Sequence, residues 1–283
     1  MIALCLSAAL SVGSLTAYAA TEYWNDASTK PMVETKTPIS DNTNWEQWKA
    51  GWDNLKTNYE QVALTPGADF SKLNFGWYSK EKTDKAMVRI ADNKEMKNAK
   101  EFKGTCTEGT VINGVQYYSN KVTADGFEPN TTYYYQVKLN GKWQQAHEYK
   151  TGDPHNFSFM YVGDPQIGAS KGQVPNESAV EQSEDVAARN DAYNWNKTLN
   201  SALAQHPEIN FLVSPGDQIN EPAGNNAEKH LLQEYEYSGY LSATAFRNLP
   251  QAVAIGNHDC LTTSYQNHFN VPNPFTAETN STV

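Results

Sequence analysis

The chain has few basic residues for its acidic content. Lys and Arg together number 22 against 32 Asp and Glu, so the formal net charge is −10. This balance argues against non-specific binding to nucleic acid or to an anionic membrane surface, and we expect no nucleic-acid partner. The same acidic surface repels anionic small molecules, and a site for one must supply positive charge locally.

Long hydrophobic runs are missing after Ala20. Before it, an apolar stretch from Ile2 to Leu15 leads into Ala-Tyr-Ala at residues 17–19, a small-x-small cleavage pattern. We expect a signal peptide over 1–19, cleavage near Ala19, and a secreted or cell-surface protein with no membrane span in the mature chain. A membrane-spanning helix is the competing interpretation of this short stretch, which no Lys or Arg precedes.

Cysteine is scarce as well. Of three cysteines, Cys5 leaves with the predicted signal peptide, so the mature chain keeps Cys106 and Cys260. Two buried thiols are one interpretation and a disulfide between them is the other, since a chain of this size needs no covalent staple.

A tryptophan-rich helix is predicted in the N-terminal extension, residues 20–56. Its aromatic and apolar residues recur every three or four positions, which is the period of one helix face. They are Trp45, Trp48, Trp52, Leu55 and Tyr59. The face either packs onto the body of the protein or forms an aromatic platform for a sugar or a partner.

Residues 57–152 alternate between apolar and polar in several short segments. The segments are 73–77, 86–90 and 133–139, and turn formers such as Asn113-Gly114 and Asn140-Gly141 separate them. This pattern predicts an antiparallel β-sandwich. The spacing of Phe127, Pro129, Thr131 and Tyr133 resembles the tyrosine corner of fibronectin type III domains. We interpret this domain as a spacer and packing partner.

Residues 153–283 read as β-α-β-α-β. Apolar runs at 157–162, 209–213 and 251–255 alternate with helix-compatible segments at 179–205 and 227–248. The continuous apolar runs predict parallel strands buried on both faces, in a doubly wound sheet. Right-handed crossovers then bring the carboxyl ends of all three strands to one edge.

An acidic or amide turn follows each predicted strand. The turns are Gly-Asp-Pro-Gln at 163–166, Gly-Asp-Gln-Ile-Asn at 216–220 and Gly-Asn-His-Asp at 256–259. Each is ordinary turn chemistry when taken alone. Together they place Asp164, Asp217 and Asn257 just beyond successive strands, where ligands of open parallel sheets bind.

These residue types suit the hydrolysis of phosphate esters by two metal ions. Two cations about 3.5–4 Å apart neutralise charge on the ester and activate water, and they need a bridging carboxylate with further oxygen and nitrogen ligands. Asp217 is the natural bridge, Asp164 would hold one metal and Asn257 the other. His258 suits a proton or hydrogen-bond donor to the phosphoryl oxygen.

In these ordered motifs the chain resembles the calcineurin-like metallophosphoesterases, and more specifically their purple acid phosphatase branch. The preceding fibronectin III-like sandwich is similar to that branch too, so the resemblance covers about residues 57–283. It implies an α/β metallophosphoesterase-type domain over 153–283 and a small phosphate-ester substrate. It also implies two metal ions (Fe, Zn or Mn) held by Asp164, Asp217 and Asn257, with His258 assisting the phosphoryl group.

The chain departs from the family pattern at several positions. Asn220 stands where purple enzymes carry an iron-binding tyrosine, so no purple colour is predicted, and Gln166 stands where other relatives carry a ligand histidine. Both residues are uncertain members of the metal shell. The later lone His and the Gly-His-x-His motif are absent, because only His268 follows His258. We expect the domain to be incomplete at its C-terminal side or to be a natural short form, and this chain alone to be inactive.

Two other functions stay open. A phosphodiesterase or nucleotidase would use the same two metals. A non-catalytic surface-binding protein would use the aromatic helix and the sandwich, and the three acidic and amide turns would then be replaceable.

Overall fold

The structure is a computed structural model and describes residues 45–173, 181–222 and 226–272. The predicted signal peptide lies outside the described residues. Helix α1 (Trp45–Lys56) is followed by a β-rich unit and then by a unit of alternating strands and helices. In the described part, no helix combines the length and apolar content that crossing a bilayer requires.

Two antiparallel sheets form the β-rich unit, as predicted for residues 57–152. The first sheet contains, in spatial order, β1 (Ala63–Pro66), β2 (Lys72–Ser79), β6 (Val115–Asp125) and β5 (Thr105–Ile112). The second contains β4 (Lys100–Lys103), β3 (Met87–Ala91), β7 (Thr132–Leu139), β8 (Lys142–Trp143) and β9 (His147–Lys150), the last two both paired with β7. Apolar side chains from both sheets, among them Phe75, Val88 and Val137, form one buried core between them. The unit is therefore a sandwich.

Turn residues set the register of this sandwich. Asn113 and Gly114 have φ of 49° and 78°, and Asn140 and Gly141 have φ of 49° and 75°. Positive φ at both central residues is the turn that matches the twist of a two-residue hairpin. The predicted tyrosine corner is confirmed, because the hydroxyl of Tyr133 accepts a 2.9 Å hydrogen bond from the upstream backbone N–H of Glu128.

A parallel three-stranded sheet with two long helices follows. Its elements are β10 (Ser158–Tyr161), α2 (Glu184–Gln205), β11 (Ile209–Ser214), α3 (Ala227–Leu241), a 3-10 helix (Thr244–Arg247), β12 (Gln251–Val253) and the short α4 (Ser264–His268). The predicted β-α-β-α-β order is present. The helix predicted over 227–248 ends at Leu241, because the hydroxyl and the N–H of Ser242 both bond to the carbonyl of Gly239 and close its last turn.

The prediction that these strands are buried on both faces is wrong. The strands lie in the order β10, β11, β12, and crossovers of one hand along such a sheet put both helices on the same side. Trp195 of α2 stacks on Tyr240 of α3, with ring centroids 5.5 Å apart. On the opposite face, Phe159 is 51% exposed and Tyr161 is 66% exposed. Within the described residues the sheet is wound in one direction, not doubly wound.

Helix α1 packs on the body of the protein. Trp45, Trp48 and Trp52 are all buried. The indole of Trp48 donates a 2.9 Å bond to the carbonyl of Arg189, and that of Trp52 donates one of the same length to Asp185. The packing interpretation is confirmed, and the aromatic platform is wrong because these rings are not accessible.

Strand β2 joins the two units, because it is buried on both faces. One face contributes to the sandwich core, and the other faces α4: an added Cβ on Gly76 would lie 2.3 Å from the carbonyl oxygen of His268. His268 is buried and binds the buried carboxylate of Glu234 at 2.8 Å, with Tyr78 against its ring. Burial alone would raise the pKa of Glu234, but the bonds from His268 and Ser264 hold that pKa below its usual range.

The cysteines match neither interpretation of the sequence. Cys106 and Cys260 are both free thiols, so they do not form a disulfide. Cys106 is half-buried and Cys260 is exposed, so they are not two buried thiols either.

Replacing Tyr133 by Phe removes the corner hydrogen bond and leaves the N–H of Glu128 without its partner. We expect a loss of about 1 kcal/mol in the free energy of unfolding, measured by urea denaturation. Tyr134→Phe is the control, since that neighbouring hydroxyl bonds only to the exposed carboxylate of Glu148 in the described part. An equal loss in both variants would contradict the role of the corner.

Candidate active site

The three motif loops follow the carboxyl ends of β10, β11 and β12 and lie at one edge of the sheet. The strands are shorter than the apolar runs, since β10 ends at Tyr161 and β12 at Val253. Asp164 is therefore one residue, and Asn257 two residues, further from its strand than predicted.

Backbone hydrogen bonds join the first loop to the second. The N–H of Gln166 donates to the carbonyl of Asp217 at 3.0 Å, and the N–H of Asn220 donates to the carbonyl of Ile167 at 3.1 Å. Ile167 and Ile219 form a parallel bridge between them. The two loops thus continue the pairing of β10 and β11 beyond the strands.

The second loop contacts the third through the side chain of Asp217. Its Oδ1 accepts a 2.9 Å bond from the backbone N–H of His258. An added Cβ on Gly256 would lie 2.0 Å from this oxygen, so only glycine fits there. Gly216, with φ of 129°, packs against the backbone of Gly256 in the same way.

The predicted ligands occupy left-handed backbone positions that most residues avoid. Asp164, Gln166 and Asp217 have φ of 48°, 34° and 51°. Non-glycine residues held in this region cost about 1–3 kcal/mol each and cluster at functional sites. The surrounding contacts must therefore impose this geometry.

The predicted site residues differ in how they are connected. Hydrogen bonds bring together Asp217, Asn220 and His258, and backbone pairing adds Gln166. Asp164 and Asn257 are exposed beside these contacts, and within the described residues neither side chain is hydrogen-bonded to Asp217.

His258 is held in one orientation by its ring. Its Nδ1 is hydrogen-bonded to the backbone carbonyl of Asn220. A carbonyl only accepts, so Nδ1 carries the proton. No described residue bonds Nε2, which leaves this nitrogen for a ligand.

Asp259, the last residue of the third motif, connects the second and third loops through hydrogen bonds to its side chain. This fully buried carboxylate accepts from the N–H of Gly256 at 2.9 Å and from the hydroxyl of Tyr237 at 2.9 Å. A longer bond from the N–H of Gln218 ties in the second motif. Burial raises the pKa of Asp259 above its usual range, although these bonds oppose the shift.

Two carboxylates on the helices support the same loops, and sequence reasoning missed both. Glu236 of α3 accepts from the N–H groups of Asn220 at 3.0 Å and Glu221 at 2.7 Å. Asp191 of α2 accepts from Gly168 at 3.0 Å and from Ser170 at 3.1 Å. Burial raises the pKa of Asp191 to about 6 and that of Glu236 well above its usual range. The only signal in the sequence is an acidic residue on the apolar side of a helix.

The motif loops carry oxygen atoms of the type that binds hard cations. Oδ2 of Asp217 has no hydrogen-bond partner in the described part, and the exposed Asp164 and Asn257 add carboxylate and amide oxygens, which hard cations prefer. Among the described residues, no group of three or more His, Cys, Asp or Glu could hold a metal. Asp164, Asp217 and His258 therefore do not form such a group in the described part of the chain.

Comparison with known proteins identifies the sandwich. Residues 59–151 match the sequence model of the family described as Purple acid Phosphatase, N-terminal domain. This match confirms the resemblance of the sandwich to the N-terminal domain of purple acid phosphatases. The search of curated proteins found no match.

Solved structures similar to this chain include three from different proteins. Purple acid phosphatase PPD1 from seeds of yellow lupin (Lupinus luteus) is 13% identical, with a TM-score of 0.49 over 75% of this chain and 40% of that one. PhoD is 15% identical, with a TM-score of 0.43 over 73% of this chain and 41% of that one. Chitinase ChiW from Paenibacillus sp. str. FPU-7 is 10% identical, with a TM-score of 0.21 over 66% and 20%. The chain thus spans about two-fifths of the length of the first two.

The raised pKa of Asp191 predicts a pH dependence of stability. With a pKa of about 6 in the folded protein against an ordinary value of 3.8, the folded state holds this proton more tightly. The contribution of Asp191 to folding therefore grows as pH falls through 6 and is complete below about pH 4. Between pH 7.5 and 5.0, we expect the stability of the wild type to rise by about 1 kcal/mol relative to Asp191→Asn in urea unfolding. Asp84→Asn, at an exposed position, is the control, and its stability should change with pH as that of the wild type does. If the difference in stability between the wild type and Asp191→Asn were the same at pH 7.5 and pH 5.0, the raised pKa of Asp191 would be contradicted.

Proposed function

We propose that this chain carries the metal-binding edge of an exported phosphoester hydrolase that acts on small phosphomonoesters. The observation that carries the proposal is the contact network in which Asp217 joins the first motif loop to the third. The match of residues 59–151 to a phosphatase N-terminal domain supports it. The limits 20–56, 57–152 and 153–283 for the extension and the two domains are part of the proposal.

Oxygen atoms of Asp164, Asp217 and Asn257 would hold the cations, with Gln166 and Asn220 as further donors. Two bound cations, of Fe, Zn or Mn, would neutralise charge on the ester and activate water for attack. The chain contributes orientation: the N–H of His258 holds Oδ1 of Asp217, and Oδ2 would then be the oxygen that binds a cation.

His258 would be the catalytic residue. With the proton of Nδ1 donated to the carbonyl of Asn220, Nε2 would face the phosphoryl group, and it would donate a hydrogen bond or a proton there as the imidazolium, which carries a second proton on Nε2. This bond ties the ring to the same loop that carries Asp217. A change in that loop would therefore move a cation ligand and the proton donor together.

The alternatives differ in what supports them. A phosphodiesterase or nucleotidase would use the same edge, and hydrolysis of bis(p-nitrophenyl) phosphate relative to p-nitrophenyl phosphate would distinguish it. The surface-binding alternative has lost its aromatic helix, because Trp45, Trp48 and Trp52 are buried.

Asp217→Asn tests the site directly. We expect residues 20–283 to bind Mn²⁺ weakly and to hydrolyse p-nitrophenyl phosphate slowly, because no group of three or more His, Cys, Asp or Glu in the described part could hold a metal. The substitution removes the charge of the bridging carboxylate, so Mn²⁺ affinity should fall by roughly tenfold or more, measured by isothermal titration calorimetry. Turnover should fall in parallel.

Asp84→Asn, which makes the same charge change at an exposed position, should leave both quantities unchanged. Equal Mn²⁺ affinity in Asp217→Asn and the wild type would contradict the proposed ligand, and robust turnover would contradict the expectation that this chain alone is inactive.

Export is tested separately by the mature N-terminus. The small-x-small pattern at residues 17–19 predicts cleavage after Ala19, so mass spectrometry of the protein recovered outside the producing cell should find a chain that begins at Ala20. Recovery only inside the cell, with residues 1–19 attached, would contradict export.

A further inference from the structure

A polar cleft lies between the sandwich and the helical unit, away from the motif loops. Its volume is about 310 Å³. Tyr135, Gln145 and His147 line it from the sandwich, and Ser242 and Arg247 line it from the end of α3 and the 3-10 helix. The hydroxyl of Tyr135 donates a 2.7 Å bond to the carbonyl of Arg247, so the two walls are fixed to each other.

The basic side chains of this cleft, Arg247 and His147, have no carboxylate partner among the described residues. In the described part, the guanidinium of Arg247 makes no ion pair or hydrogen bond, and neither nitrogen of His147 makes a hydrogen bond. The amide of Gln145, at the mouth of the cleft, has no hydrogen-bond partner among these residues either. The net charge of the chain is −10, so carboxylates outnumber basic groups. Arg247 and His147 nevertheless lie in one cleft as hydrogen-bond donors that no described side chain accepts from.

The carboxylate that lines the cleft is already engaged elsewhere. Glu60 accepts from the backbone N–H of Lys80 at 3.2 Å and from the amide of Asn140 at 3.2 Å. It makes no ion pair with Arg247 within the described residues. Both of these bonds are to Oε1 of Glu60, so a carboxylate lines the cleft without pairing with Arg247 or His147.

From these contacts we propose that the cleft is a binding site for a small oxyanion, such as free sulfate or phosphate, with Arg247 and His147 as its principal ligands and Gln145 as a further donor. The guanidinium offers a planar pair of donors that matches an oxyanion.

The state of His147 fits this assignment. Burial, and then the charge of Arg247, lower the pKa of His147. An anion between the two groups offsets both effects, so binding takes up a proton and strengthens as pH falls. The other ionisable groups that line the cleft are Glu60, Tyr135 and Arg247.

This site is independent of the proposed hydrolase. The 3-10 helix precedes β12, so the cleft adjoins the amino end of that strand, whereas the motif loops follow the carboxyl ends. A ligand here would not touch Asp164, Asp217 or Asn257.

The experiment is a sulfate titration of residues 20–283, followed by NMR of the six histidine rings at constant ionic strength in sodium chloride. We expect a saturable shift of the His147 resonances, assigned by their loss in His147→Gln, and a rise in the pKa of His147. The exposed ring of His206 should not shift. The apparent dissociation constant should be roughly threefold to tenfold lower at pH 5.5 than at pH 7.5.

Arg247→Gln should weaken sulfate binding by roughly tenfold, because it removes a charge-assisted pair of hydrogen bonds. Lys142→Gln makes the same charge change at an exposed position that does not line the cleft, and it should weaken binding less than twofold, as expected for screened surface charges. Arg247 is exposed, so its substitution leaves the fold intact. No saturable shift of His147, or equal weakening in the two variants, would overturn the proposal. A shift of His258 alone would also overturn it, since sulfate would then bind at the motif edge.

Discussion

Buried carboxylates that accept hydrogen bonds from backbone N–H groups hold the motif edge together. Asp217 accepts from His258, Asp259 from Gly256, and Glu236 from Asn220. A buried charge is costly unless it is hydrogen-bonded, and such charge-assisted bonds are stronger than neutral ones. They offset the strain of the left-handed residues in the first two loops. The loops therefore hold their shape through the protein's own contacts.

The side chains that support the loops are different from most of those proposed to bind the cations. The carboxylates of Asp191, Glu236 and Asp259 accept hydrogen bonds from the backbone of the loops. Asp164 and Asn257, in contrast, are exposed. In Asp217, Oδ1 supports the loops by accepting the bond from His258, and Oδ2 is left for the proposed cation. A site in which supporting groups fix the loops before a ligand arrives loses less free energy on binding.

Sequence reasoning recovered the order of elements and the meeting of the motif loops, for physical reasons. Period-two alternation and Asn-Gly turns are local signals, and they sufficed for the strands of the sandwich and for the corner at Tyr133. The convergence of loops followed from parallel topology alone. The continuous apolar runs predicted strands covered on both faces, but Phe159 and Tyr161 are exposed, because apolar content does not reveal which side of a sheet is covered. The roles of Asp191 and Glu236 depend on contacts between distant segments, which no local pattern encodes, and the proposed ligand roles of Asp164, Asp217 and Asn257 remain predictions.

Strand β2 has no solvent-facing side. Leu73, Phe75 and Trp77 belong to the sandwich core, while Gly76 and Tyr78 lie against α4 and the buried pair of Glu234 and His268. One strand thus completes two cores, and neither unit can lose it without exposing part of its interior. Domain limits drawn along the sequence consequently mark where patterns change, and they do not mark where the chain could be cut into pieces that fold. The amide hydrogens of this strand would exchange with solvent only when both units open together, so the molecule is expected to unfold as one cooperative body across the described part of both units.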